Sequence, residues 1–147
     1  MKIDPRTGMP QQPERPNVYV KETRGLKVQV MPAFLDDESS PEDNRFVWSY
    51  SIVIENNGAE TVQLRSRYWR ITDATGRVME VRGAGVVGQQ PTLKPGDVFE
   101  YTSGTPLSTP SGFMTGTYQM LSDAGESFQI EIPLFSLDMP NTIRRVH

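Results

Sequence analysis

Apolar and polar positions alternate along most of this chain with a period of two, the repeat that places every second side chain on one face of a sheet. Leu26, Val28 and Val30 alternate with Lys27 and Gln29. Phe46, Trp48, Tyr50, Ile52 and Ile54 alternate with Arg45, Ser49, Ser51 and Glu55, so both stretches read as half-buried antiparallel strands. Asn56-Asn57-Gly58 supplies a turn, because Asn and Gly tolerate positive φ, and leads into Val62-Gln63-Leu64. The next strand runs to about Ile71 and turns at Asp73-Ala74-Thr75-Gly76 into Val78-Met79-Glu80-Val81. Strands follow at Val98 to Thr102, at Gly116 to Met120 and, past Asp123-Ala124-Gly125, at Ser127 to Pro133. Seven to eight strands at short spacing, with no helical period longer than a turn, predict an all-β antiparallel sandwich. Each one-sided sheet must cover its apolar face with another.

One parity problem carries information. Val62 and Leu64 fall on one face, whereas simple counting puts Trp69 and Ile71 on the other. A bulge near Ser66 to Tyr68, or a strand that crosses between sheets, resolves it. Leu93-x-Pro95-Gly96 before an aromatic strand, followed by Gly116-x-Tyr118, resembles the strand E to strand F passage of immunoglobulin and fibronectin type III domains. That resemblance implies a Tyr118 ring in the core and a Tyr118 hydroxyl bonded to upstream backbone.

Composition narrows the function classes. The 147 residues suit one domain. Without cysteine the chain forms no disulfide and no thiolate metal site. A net charge of −3 and a pI near 5.2 argue against non-specific binding to nucleic acid or anionic membranes. No apolar run is long enough to span a bilayer, and the N-terminus lacks the apolar core of a signal peptide, so a cytoplasmic location is expected. Residues 1–17, with Pro5, Pro10, Pro13 and Pro16, read as a flexible arm, 18–138 as the sandwich, and 139–147, with Ile143, Arg144 and Arg145, as a tail.

Gly83-Ala84-Gly85-Val86-Val87-Gly88-Gln89-Gln90-Pro91 has the glycine spacing of a dinucleotide-binding loop. Such a loop must open a helix, and Pro91, Pro95 and Gly96 precede a strand instead, so these glycines are expected to join strands. The alternative is a nest of backbone N–H groups at Gly83, Gly85 and Gly88 that takes a phosphate, a nucleotide or a partner's carboxylate. Arg82, with Arg65, Arg67 and Arg70 nearby, would strengthen it if the arginines converge.

Catalytic ingredients are scarce. The one histidine is His147, so a Ser-His-Asp site or a His-rich metal centre lacks its main component, and no cofactor, metal or enzymatic activity is expected. Asp36, Asp37, Glu38, Glu42 and Asp43 lack the spacing of a calcium loop and read as a solvated connector. Ser103 to Thr115 reads as a second long connection, in which Leu107, Phe113 and Met114 offer a partner surface. Leu107 and Phe113 plugging the end of the sandwich is an equal alternative. Ser103, Thr109 and Ser111 have no base beside them in sequence to activate a hydroxyl.

Tyr68-Trp69-Arg70-Ile71-Thr72-Asp73, the glycine loop, Leu93-Lys94-Pro95-Gly96, Tyr101-Thr102-Ser103-Gly104, Thr109 through Tyr118, and Ile132-Pro133-Leu134-Phe135-Ser136-Leu137 together resemble the ApaG family. The resemblance covers roughly residues 18–138. It implies a fibronectin type III-like sandwich, a link in bacterial members to cobalt tolerance and magnesium efflux, and no established enzymatic reaction. Related domains, in an F-box protein and a polymerase-delta-interacting protein, look like protein-interaction modules. Tyr68 departs from the family, which often has His before this Trp, and removes a possible imidazole. The expected function is a non-enzymatic interaction module with an unknown protein partner, monomeric or dimeric through an edge strand. The alternative is a phosphate- or nucleotide-binding protein that uses Gly83 to Gly88.

Overall fold

Nine strands in two antiparallel sheets form the sandwich that the alternation predicts, in a computed structural model that describes residues 17–140. The arm, apart from Asn17, and the tail, apart from Met139 and Pro140, lie outside the described residues, as does His147.

The first sheet orders β1 (Tyr19–Thr23), β2 (Leu26–Phe34), β3 (Phe46–Asn56) and β7 (Val98–Leu107) side by side. The second orders β5 (Val78–Ala84), β4 (Val62–Asp73), β8 (Ser111–Ser122) and β9 (Ser127–Asp138), with the two-residue β6 (Thr92–Leu93) also paired to β4. β1 is short and mostly exposed, and β6 is too brief to show a period, which is why the alternation marks neither.

The parity problem in β4 is settled by a bulge. The β4–β8 register slips between Leu64 and Ser66, just ahead of the predicted stretch. One extra residue turns Val62 and Leu64 onto the same face as Trp69 and Ile71, and all four are buried in one core. In the core, Tyr50 and Trp69 pack with ring centroids 5.2 Å apart, and Trp69 meets Phe135 edge-on at 6.0 Å. The buried Trp48 donates its indole N–H to the Asp138 carbonyl at 3.1 Å.

The supposed connection from Ser103 to Thr115 is a correction. β7 runs on to Leu107 and β8 begins at Ser111, so only a tight turn separates them. The small polar residues Ser103, Gly104 and Thr105 look like a loop, yet the alternation continues through them, with Tyr101, Thr105 and Leu107 buried. Tyr118 is wholly buried as expected, but its hydroxyl shares a hydrogen bond with the Tyr101 hydroxyl instead of upstream backbone.

The sheets are offset. β1 and β2 pack against β9, which leaves β7 and β5 together on the opposite side. β5 extends beyond the cover of the first sheet, and six of its seven residues are exposed, Gly83 alone being half-buried.

Candidate functional site

The overhang of β5 creates a cleft. Ile71↔Met79 and Trp69↔Val81 are paired across β4 and β5, so Met79 and Val81 share the inner face with the buried Ile71 and Trp69. Both remain open, at 44% and 40% exposure, because no strand of the first sheet lies beneath them. The space of about 500 Å³ between β5 and the end of β7 has Ile71, Met79, Pro106 and Leu107 as its apolar lining. Asp43, Arg45, Asp73 and Arg77 supply charge.

Asp73 anchors the turn above this cleft. Its Oδ1 accepts from the Thr75 hydroxyl at 2.7 Å, the Thr75 amide at 2.9 Å and the Arg77 amide at 3.0 Å. The Thr75 hydroxyl, then the two amides and the Arg77 charge, hold the carboxyl below the usual carboxylate range against the opposing effect of burial. The Ala74 amide donates to Thr109 Oγ1 at 3.1 Å, tying this turn to the one between β7 and β8.

The glycine-spaced segment is a β-hairpin. Val86 and Gln89 exchange amide-to-carbonyl bonds, each 2.8 Å, around Val87 at φ 41° and Gly88 at φ 78°. Positive φ at both central residues is the signature of a type I′ turn, whose twist matches paired strands. Gly85, at φ 63°, donates its amide to Arg65 O at 2.9 Å, and a Cβ there would stand 2.3 Å from Gln89 O. Three of the loop amides, those of Gly85, Val86 and Gln89, are therefore bonded within the protein. Gly83 lies within β5.

The nearby arginines diverge. Arg67 pairs in register with the buried Tyr118 and shares the inner face, where its charge acts on Tyr50, Tyr101 and Tyr118. Its Nη1 donates to the carbonyls of Ala84 at 3.1 Å and Gly85 at 2.9 Å, so it meets the loop through acceptors. Arg82 takes the outer face, stacks 4.3 Å from the Tyr68 ring centroid and lies 3.6 Å from Glu80. Arg65 bonds Gln63 Oε1 at 3.2 Å, and Arg70 is exposed on the outer face beside Tyr68.

Of the residues assigned to the second loop, Met114 is wholly buried in the core and Leu107 shows only an edge to the cleft from the end of β7, a correction that follows from the extended strands. Phe113 is 40% exposed on the outer face, in register with Thr72 and Ser136. The acidic run forms two short 3₁₀ turns, with the Ser40 hydroxyl donating toward Glu42 and Asp43. Sequence reasoning missed Met79 and Val81, since Val78-Met79-Glu80-Val81 reads as an ordinary half-buried strand. Their exposure depends on which strand ends each sheet.

The architecture is that of an antiparallel two-sheet β-sandwich domain with one overhanging edge strand. Residues 36–122 match the model of the ApaG domain, and the chain belongs to the ApaG family. It is 60% identical to Protein ApaG of Rhodospirillum centenum over 124 residues, which cover 84% of this chain and 95% of that one. Against Protein ApaG of Brucella anthropi the identity is 58% over 130 residues, covering 88% and 100%. A crystal structure of a protein named ApaA from Bordetella pertussis superposes with a TM-score of 0.77 at 49% identity, covering 78% of this chain and 94% of that one.

Proposed function

We propose that this ApaG-family chain is a non-enzymatic, cytoplasmic protein-interaction module, and that its cleft under β5 receives an extended, partly apolar segment of a partner. The observation that carries this reading is Met79, an apolar side chain held open on the inner face of a rigid sheet above Pro106 and Leu107, with Val81 open beside it on the same face. Asp43, Arg45, Asp73 and Arg77 supply both signs of charge around that apolar lining, the arrangement by which a docking groove fixes the direction of its occupant. The link to cobalt tolerance and magnesium efflux that the family resemblance brings is then indirect and passes through the partner. Among the described residues no helix is long and apolar enough to cross a membrane.

The test is a photo-crosslinker placed at Met79 and, as a control on the far side of the sandwich, at Gln129. A protein other than this chain should be captured from cell extract through Met79 and not through Gln129. Its capture should fade in a chain whose cleft is made acidic by Arg77→Glu and whose fold is verified by circular dichroism. Equal capture from both positions, or none from Met79, would overturn the reading.

A further inference from the structure

The geometry points to a second copy of this chain as the occupant of the free edge of β5, paired antiparallel about Val81 so that Glu80 of each copy meets Arg82 of the other. This goes beyond the cleft and its partner and does not depend on what fills it.

The backbone directions come from the β4–β5 ladder. Gly85 donates to Arg65 O at 2.9 Å and Asp73 to Arg77 O at 3.0 Å, and the register between these two closures is unbroken. Bonded pairs alternate in an antiparallel ladder, so Met79, Val81 and Gly83 turn their N–H and C=O groups toward β4. Val78, Glu80 and Arg82 turn theirs away, toward the open edge. Ala84 also faces outward, but its carbonyl already accepts from Arg67, which limits pairing to the segment before it.

Side-chain charge then selects one register. A two-fold axis through Glu80 would set Glu80 against its own copy, and one through Arg82 would set Arg82 against its own copy, both repulsive. An axis through Val81 brings Glu80 opposite Arg82 and Arg82 opposite Glu80, both on outward-facing backbone, so the pairs that exchange hydrogen bonds are also the charge pairs. On the inner face the same axis sets Val81 against Val81, and Met79 across from Gly83, over which the Arg67 guanidinium already lies.

The edge of β7 is protected differently. Leu35 donates to Val47 O at 2.8 Å, so Val47 faces β2, and its register partner Pro106 must face away from β3. Pro106 therefore puts a residue without an N–H on the open edge, where it obstructs pairing. β5 contains no proline, and the charges on it repel a copy in two registers while attracting it in one.

Sedimentation velocity over a wide concentration range tests this. The native chain should show a dimer whose dissociation constant rises about tenfold or more in Glu80→Arg and in Arg82→Glu, each of which turns two attractive pairs into repulsive ones. The doubly exchanged chain, E80R with R82E, should restore it. Since the chain has no cysteine of its own, single cysteines report the register. Val81→Cys should form an intermolecular disulfide on mild oxidation, and Met79→Cys should not, because only Val81 faces its own copy. A native chain that stays monomeric overturns the inference. So does a dimer indifferent to the charge exchanges, a double exchange that fails to restore association, or a Met79→Cys disulfide that forms as readily as the Val81→Cys one.

Discussion

The hydroxyls of Tyr101 and Tyr118 share a buried hydrogen bond that ties β7 of one sheet to β8 of the other. Desolvation pushes both phenols above the ordinary tyrosine range, and the neighbouring Arg67 offsets only part of that rise. Because the folded values lie above the unfolded value near ~10, the unfolded chain loses these protons first as pH rises. The stability they contribute is therefore complete below about pH 10 and declines above it. The thermal midpoint should fall steeply in that window, and the fall should become shallower in a Tyr101→Phe, Tyr118→Phe double variant.

The same pair gives a coupling prediction at neutral pH. Tyr118→Phe leaves the Tyr101 hydroxyl buried without this partner, at a cost of about 1–3 kcal/mol, whereas removing both hydroxyls removes the unpaired group as well. In urea titrations the double variant should be more stable than the sum of the single effects implies. Strict additivity would mean the hydroxyls do not depend on one another.

Val87 sits at φ 41° in the type I′ hairpin, a conformation a β-branched residue adopts only with strain. Val87→Asn creates the Asn-Gly pair such turns favour and should stabilise the fold by about 1 kcal/mol. Gly85→Ala, which drives a Cβ to 2.3 Å from Gln89 O at φ 63°, should destabilise it by about 1–3 kcal/mol. Urea midpoints check both, and the opposite signs separate turn chemistry from any general sensitivity of the loop.

Asp73 sets the acid limit of the β4–β5 turn. Its folded carboxyl is held low, chiefly by the Thr75 hydroxyl, so its contribution is present above the unfolded value near ~3.9 and is lost as pH falls through the folded value. Asp73→Asn keeps an acceptor oxygen but cannot titrate. Thermal midpoints followed from pH ~6 downward should drop more steeply in the native chain than in this variant.

The period of two makes the sandwich legible from Leu26 to Ile132, and it does so even where it slips. The parity clash between Leu64 and Trp69 marks the bulge, and once that is allowed for, Arg67 falls on the face of Trp69 and Ile71 and must lie inward. Leu107 and Met114 are obscured because Ser103, Gly104 and Pro106 imitate loop composition inside a continuous strand. The cleft has a different cause of illegibility. Exposure of Met79 and Val81 follows from the order of strands in space, which pairs residues far apart in sequence, and no local pattern encodes it.

Arg65 offers the sharpest test of the bulge, because its backbone and its side chain have separate roles. Its carbonyl accepts from the Gly85 amide at 2.9 Å and from Gln90 Nε2 at 2.8 Å, while its exposed guanidinium reaches only Gln63 among the hydrogen bonds at that end. Arg65→Ala should therefore change stability by less than about 0.5 kcal/mol. Deleting Arg65 removes the extra residue and forces a choice on β4: either Val62 and Leu64 turn outward, or Trp69 and Ile71 do. Exposing the smaller pair forfeits about 1.5–3 kcal/mol for each side chain. That is a large share of the ~5–15 kcal/mol that holds a domain folded. The deletion should lower the urea midpoint sharply and weaken the near-ultraviolet circular dichroism of the tryptophans, whereas the alanine variant should match the native chain in both. A deletion as harmless as the alanine substitution would show that β4 can reach the core without its bulge.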